Sequence, residues 1–310
     1  MKLLLLGANG QVGWQLRRSL ATLGDVVVAT RDTDICGDLS QPRRVQEAIR
    51  ALAPDVVVNA AAYTAVDRAE EEPELAFAIN GKAVEAIADA TAQIGSWLVH
   101  YSSDYVYRGD GTEPWVETDV CEPLGIYGKS KLAGDIGAVR NPRHLVFRTS
   151  WVFDTWGGNF VKSILKAATQ RDELKVVCDQ WGAPTRAALI ADVTAVALRE
   201  VVRTREDASR AGIYHLAPSG DTHWNEYARF AISEAMQRGA PLRATPDKVH
   251  AIPAAEYAAK APRPANSRLD TSRLRRTFGI ALPTWQEGVR AVVAELTQPP
   301  LWDAALKERK

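Results

Sequence analysis

Cysteine is scarce in this chain, and an excess of one charge sign is missing. Cys36, Cys121 and Cys178 lie far apart. They form neither a Cys-x-x-Cys pair nor an even-numbered disulfide framework. Each is read as a small buried hydrophobe in a reducing, cytoplasmic setting. The histidines, His100, His144, His215, His223 and His250, show no His-Glu-x-x-His spacing, which argues against a zinc site. Lys plus Arg and Asp plus Glu both number 38, so zero net charge gives no support for a nucleic-acid or membrane-surface partner. No apolar run approaches a membrane span, and the opening Met1–Leu6 is too short for a signal peptide. It reads instead as a buried strand. Internal repeats and charge blocks are lacking as well.

What is present is alternation. Strands are expected at Lys2–Leu6, Val26–Ala29, Asp55–Asn59, Trp97–Ser102 and His144–Arg148. Between them fall helices at about Val12–Leu23, Pro42–Leu52, Pro73–Ile94 and Tyr127–Val139. Strands separated by helical segments imply right-handed βαβ units in a parallel sheet covered on both faces. Beyond Thr149, helix Asn159–Gln170 and strand Leu174–Val177 read as a continuation of that sheet. A loop at Asp179–Thr185, helix Ile190–Arg203, strand Ile213–Leu216, helix Trp224–Arg238 and an irregular Pro241–Pro264 stretch follow. The segment after Pro300 reads as a frayed helix. The fold class is α/β: a Rossmann-type doubly wound parallel sheet with a smaller, discontinuous C-terminal substrate-binding lobe. The division expected is a dinucleotide-binding domain over 1–150, which also receives parts of 159–215, and a mostly substrate-binding lobe over 151–310.

Gly7-Ala8-Asn9-Gly10-Gln11-Val12-Gly13 follows a strand and opens a helix. Gly7 permits the tight turn, Gly10 lets the backbone approach a pyrophosphate, and Gly13 allows close helix–strand packing. The helix N-terminus supplies N–H groups and positive dipole to the phosphates. The spacing of the three glycines favours the short-chain dehydrogenase branch of dinucleotide folds. At the end of the second strand, Thr30-Arg31-Asp32 leaves NADH and NADPH both open, with a lean to NADPH because an arginine accommodates a 2′-phosphate. Asp38-Leu39 is expected near the adenine. The small residues of Asn59-Ala60-Ala61-Ala62-Tyr63-Thr64 let a cofactor pass over the carboxyl end of the sheet.

Downstream stands Tyr127-Gly128-Lys129-Ser130-Lys131, with Ser103-Asp104 before it. Tyr127 and Lys131 share one helix face, one turn apart. A phenol with a reference pKa of about 10 is a poor acid–base catalyst at neutral pH, and a neighbouring ammonium lowers it. With a nucleotide signature upstream, the pair reads as a hydride-transfer couple.

These blocks resemble the dTDP-4-dehydrorhamnose reductases, members of the extended short-chain dehydrogenase/reductases. The resemblance is carried by Asn59–Asp67, Tyr101–Val106, Pro123–Gly134, Arg148–Val152, Asp179–Thr185 and Arg263–Leu269, which span nearly the whole chain. It implies reduction of the C4 keto group of dTDP-4-dehydro-L-rhamnose by NADPH or NADH. Tyr127 would donate the proton to the C4 oxygen. Lys131 would hold the nicotinamide ribose and depress the Tyr127 pKa, and Ser103 would bind the reacting oxygen where the family often has threonine. Asp104 and Trp151 would contact the sugar nucleotide, with Thr64, Val66 and Tyr105 nearby. Gly10, Gln11 and Val12 would touch the pyrophosphate, while Ala62, Tyr63 and Thr64 would line the cofactor's middle. Arg263, Asn266 and Ser267 lie in the family's substrate-lobe signature, where Arg263 is suited to pair with the substrate diphosphate.

One departure stands out. Some members of the family form a dimer around a magnesium ion held by three glutamates, and the matching positions here are Gln15, Ala188 and Gln286. A hard dication needs anionic oxygen ligands. The expectation is therefore no metal site and a monomer or weak homodimer. Two other readings stay open: an epimerase or dehydratase of the same fold acting on a sugar nucleotide, and a non-enzymatic relative such as the NADP-binding regulatory subunit of methionine adenosyltransferase.

Overall fold

Leu3, Leu4, Leu5 and Leu6 are fully buried, as are Val56, Val57 and Val58. Strands this apolar along their whole length need cover on both faces, and that is what a doubly wound sheet supplies. The computed structural model describes residues 1–203, 208–257, 259–299 and 301–302. Its central sheet has six parallel strands: β1 (Lys2–Leu6), β2 (Asp25–Ala29), β3 (Val56–Asn59), β4 (Trp97–Ser103), β5 (His144–Thr149) and the strand Gly212–His215. Across the sheet the order is Gly212–His215, β5, β4, β3, β1, β2.

Alternate side chains go to opposite faces. Leu3, Leu5, Val56, Val58 and Val99 join Leu16, Leu20, Ile190 and Leu198 from helices Gln11–Leu20 and Ala187–Arg203. Leu4, Leu6, Val57 and Leu98 join Val45, Ile49, Val84 and Ile87 from helices Pro42–Leu52 and Ala83–Gln93. A third core lies outside the sheet and unites Phe153, Val161, Leu165, Tyr227, Ile232, Trp285, Val289 and Val293. β1 has β2 on one side and β3 on the other, so the crossover direction reverses there. The carboxyl ends of β1 and β3 are the switch point where ligands of such sheets bind.

The structure corrects several local readings. Leu174–Val177 does not extend the central sheet. It pairs in parallel with Val249–Ile252, inside the stretch read as irregular. In that partner only Val249 is buried, so no two-residue hydrophobic period marks it. The expected helix Pro73–Ile94 is interrupted by a π-helical turn over Ala78–Lys82. Helices Ser272–Phe278 and Trp285–Leu296, the second opened by a Thr284/Glu287 capping box, went unrecognised in the sequence. The three free cysteines are half-buried rather than buried. The frayed helix expected after Pro300 lies, from residue 303 onward, outside the described residues. Among the described residues no helix is long and apolar enough to cross a membrane.

Candidate active site

The glycine turn is built by steric necessity at two of its three glycines. Gly7 has φ +76°, and a Cβ there would lie 2.6 Å from the Ala60 carbonyl carbon. A Cβ on Gly13 would lie 2.7 Å from the Gly7 carbonyl carbon. Gly10 is different, because a Cβ there meets no protein atom closer than 3.5 Å. The space beside Gly10 is open for a ligand, as a diphosphate approaching the backbone requires. Helix Gln11–Leu20 starts at this point, so the amides of Gln11, Val12 and Gly13 are the orphan donors of its first turn.

The adenosine end is less simple. Thr30 and the exposed Arg31 stand at the end of β2, with Arg31 Nε 3.9 Å from Asp38 Oδ1. The Asp38 carboxylate accepts from the Ser40 backbone and hydroxyl and from Gln41 Nε2, and Gln41 leads in holding its pKa below the usual carboxylate value. Leu39, expected beside the adenine, is buried in the core with Val45 and Ile49. Along β3, Ala60 donates to the Leu6 carbonyl and Ala61 to Asn59 Oδ1, while Ala62 and Thr64 are exposed over the sheet's end.

The residues expected to do acid–base work come together near the end of β4. Ser103 Oγ donates to Asp104 Oδ1 at 2.8 Å and accepts from the Tyr105 backbone at 3.2 Å. The Tyr127 and Tyr105 rings meet edge to face at 5.4 Å. Burial first, then the Asp104 charge, push the Tyr127 phenol above its ordinary pKa, while the Ser103 hydroxyl beside it lowers it. Lys131 is buried and donates from Nζ to the Tyr101 carbonyl at 2.6 Å. Desolvation lowers its pKa to about 8, against Asp135 one turn further along the helix. The Tyr127 phenol is therefore raised, not lowered as the pair alone implies, and the Lys131 ammonium is turned to the Tyr101 carbonyl. Burial likewise raises the Asp104 carboxyl to about 6, opposed by the Ser267 and Ser103 hydroxyls.

Other expected residues take varied positions. Trp151 has φ +47°, strained for a bulky side chain, and stacks on Trp224 at 3.7 Å. Arg263 pairs with Asp67 at 2.8 Å and reaches the Tyr105 hydroxyl at 3.4 Å, which brings it to the edge of the tyrosine pair. Val66, half-buried, opens the short helix that carries Asp67. Asn266 is buried, and its amide donates to the Asp110 and Glu113 carbonyls while Oδ1 accepts from the Arg268 backbone. That side chain holds the lobe together and has little left for a ligand. Ser267 lies between Asp104 and Gly182, and Gly182 packs on the Trp151 ring.

Sequence reasoning missed Asn80. From the π-helical turn, its Oδ1 accepts from the Tyr63 backbone at 2.8 Å. Its Nδ2 donates to the Tyr63 carbonyl and to Ser130 Oγ, both at 3.0 Å. One buried amide thus ties the Ala60–Thr64 segment to the helix that carries Tyr127. The signal was an Asn-Gly pair inside an otherwise helical run. Also missed was a buried relay behind Lys131: Arg148 donates to Asp135 at 2.9 Å and to the Tyr107 hydroxyl at 2.7 Å, and Tyr107 meets His215 Nε2 at 2.6 Å.

Sheet order, glycine turn and the Ser–Tyr–Lys cluster define an α/β oxidoreductase of the extended short-chain dehydrogenase/reductase type. Residues 1–298 match the RmlD substrate binding domain family. The dTDP-4-dehydrorhamnose reductase of Escherichia coli K12 is 48% identical over 298 residues, covering 96% of this chain and 98% of that protein. The structure of a dTDP-4-dehydrorhamnose reductase from Clostridium acetobutylicum is similar with a TM-score of 0.83 and 31% identity, over 96% of this chain and 100% of that one. The Bacillus anthracis dTDP-4-dehydrorhamnose reductase, solved in complex with NADP, gives 0.83 and 31% over 95% and 99%. The chain belongs to the dTDP-4-dehydrorhamnose reductase family.

Proposed function

We propose that this chain reduces the C4 keto group of dTDP-4-dehydro-L-rhamnose to dTDP-L-rhamnose at the expense of NADPH or NADH. The observation that carries the reading is the convergence of Ser103, Tyr127 and buried Lys131 at the end of β4. The glycine turn would hold a nicotinamide dinucleotide, which would supply the hydride to C4. As the carbonyl electrons move onto oxygen, Tyr127 gives that oxygen its proton. A raised phenol pKa suits this direction, since it keeps the proton in place until the alkoxide forms. Ser103 orients the carbonyl, and the Lys131 ammonium stabilises the phenolate left behind. Asp104, Trp151 and Arg263 are assigned to the sugar nucleotide. The cofactor's ribose is assigned to Lys131, and its middle to Ala60, Ala61, Ala62, Tyr63 and Thr64. Arg31 at the end of β2, with the NADP complex of the Bacillus anthracis relative, favours NADPH.

The division of labour follows the chain. The part over 1–150, with the strand Gly212–His215, carries the dinucleotide, and most of 151–310 carries the sugar nucleotide. The free thiols fit the cytoplasm.

No step runs through a metal. Ala188 brings only a methyl group to the groove it lines with Arg186, Asp192, Thr284 and Glu287, and neither Gln15 nor Gln286 lines that groove. Among the described residues no group of three or more His, Cys, Asp or Glu side chains gathers to hold a cation. With Gln15 and Gln286 as amides, these residues do not fit a hard dication, and we propose a monomer or weak homodimer.

The test is direct: incubate the protein with the 4-keto sugar nucleotide and follow the absorbance of NADPH and of NADH, with and without EDTA. Stoichiometric oxidation insensitive to EDTA is expected. A protein that oxidises neither cofactor is not this reductase, and strong EDTA inhibition would return the metal to the site.

A further inference from the structure

The segment Asp154–Asn159 leaves the second lobe, passes over the glycine turn and enters helix Phe160–Gln170. Two of its side chains bind that turn. Trp156 Nε1 donates to the Asn9 carbonyl at 2.9 Å, and Asn159 Nδ2 donates to Gln11 Oε1 at 3.1 Å. Asn159 is itself fixed, since Nδ2 also donates to the Asp154 carbonyl at 2.6 Å and Oδ1 caps the helix through the Lys162 backbone. Between them Gly157, at φ +74°, lies so close that a Cβ would come within 3.0 Å of Gln11 Cγ. The Trp156 ring stacks on Trp14 at 4.2 Å and 8°, with the Arg17 guanidinium 5.3 Å from the Trp14 centroid. Trp14 is 39% exposed and Trp156 40%, so the stack and the hydrogen bond, not burial, set where Trp156 sits.

The consequence is chemical. The Asn9–Gly10 peptide is held at both ends: Gly10 N–H donates to the Gly7 carbonyl at 3.0 Å, and the Asn9 carbonyl accepts from Trp156. A free carbonyl at the mouth of an anion site would repel a diphosphate. Here an indole N–H neutralises it and prevents the peptide from flipping. The amides of Gln11, Val12 and Gly13 are thereby kept in their anion-binding geometry.

We propose that Trp156 is a positioning residue for the dinucleotide diphosphate, acting from the second lobe through the Asn9 carbonyl. The proposal rests on the cofactor assignment made under the proposed function. It is tested on the full chain by equilibrium titration with NADPH and with NADH, beside steady-state kinetics. Trp156→Phe keeps a stacked ring and loses the donor, whereas Trp156→Ala loses both. A lost hydrogen bond corresponds to about fivefold weaker binding of both dinucleotides in Trp156→Phe, and about tenfold or more is expected in Trp156→Ala. The maximal rate at saturating cofactor and the KM for the sugar nucleotide should stay within about twofold, because the contacts of Trp156 are with the turn and with Trp14 of the helix it opens. Unchanged affinity in Trp156→Phe overturns the proposal, as does a parallel change in sugar KM or maximal rate. The titration needs no sugar. A wild type that binds dinucleotide without reducing the 4-keto sugar therefore sinks the function while still judging Trp156. A wild type that binds neither dinucleotide overturns both.

Discussion

The Nζ of Lys131 donates to the Tyr101 carbonyl at 2.6 Å within a pocket that excludes water from the side chain. Burying an ammonium lowers its pKa, here to about 8 from 10.5. Between these values the unfolded chain binds the proton and the folded one does not, so folding is favoured as pH rises from 8 to 10.5. Lys131→Met has no such dependence. The stability of wild type minus that of Lys131→Met should therefore grow across this window by at most about 3–4 kcal/mol, at about 1.36 kcal/mol per pKa unit. Parallel unfolding curves for the two proteins from pH 7 to 10 would count against the buried charge. Dinucleotide affinity should fall in the variant at every pH.

Tyr127→Phe removes the proposed proton donor and its hydrogen bond with Ser103, while the ring contact with Tyr105 is retained. The maximal rate should drop about 100- to 10,000-fold, the range for a lost general acid, with dinucleotide affinity unchanged. Ser103→Ala should also lower the rate, and in addition the melting temperature, because Asp104 loses a buried donor and the Tyr105 amide loses its acceptor. Ser103→Thr should restore both. A fully active Tyr127→Phe would assign the proton to another group.

Asp104 carries the opposite pH signature from Lys131. Its carboxyl is raised to about 6 from 3.8, chiefly by burial. The folded protein then holds a proton that the unfolded chain releases, so this group makes folding less favourable as pH rises from 3.8 to 6 and remains unfavourable above. Asp104→Asn should raise the melting temperature at pH 7 and lose that gain toward pH 4, the difference amounting to at most about 3 kcal/mol. Activity should fall in the same variant, since the carboxylate is assigned to the substrate. Thermal melts at the two pH values decide it; a variant less stable than wild type at pH 7 contradicts the account.

Much of this was legible in the sequence because it rests on local rules. The run Leu3–Leu6 admits little besides a buried strand, and Gly7 and Gly13 sit where backbone atoms leave no room for a Cβ. Tyr127 and Lys131 share a helix face by periodicity alone. What stayed hidden depends on partners distant in sequence. Leu174–Val177 looks like any short apolar strand until Val249–Ile252 claims it. Asn266 carries a family signature, yet its amide is occupied by carbonyls some 150 residues away. Lys131 points its charge at a backbone carbonyl of β4, and no side-chain pattern records a carbonyl.

The Trp151 ring offers the sharpest test of the substrate lobe. It is held at φ +47° and stacked on Trp224, with Gly182 against the ring. A Cβ at Gly182 would lie 2.8 Å from Trp151 Cε2 and 3.1 Å from Ser267 Cβ. Either the indole must turn or Ser267 must withdraw, and Ser267 is joined to the Ser103 hydroxyl through Asp104. Overpacking of this kind typically costs about 1–3 kcal/mol. Gly182→Ala should therefore melt several degrees lower and raise the KM for the sugar nucleotide several-fold. The dinucleotide dissociation constant should not change, since the glycine turn lies at the end of β1 and touches neither residue. A variant with unaltered sugar KM would show that Trp151 is a core residue and that the sugar nucleotide binds elsewhere in the lobe. If cofactor affinity fell instead, the assignment of the two lobes to the two ligands would have to be redrawn.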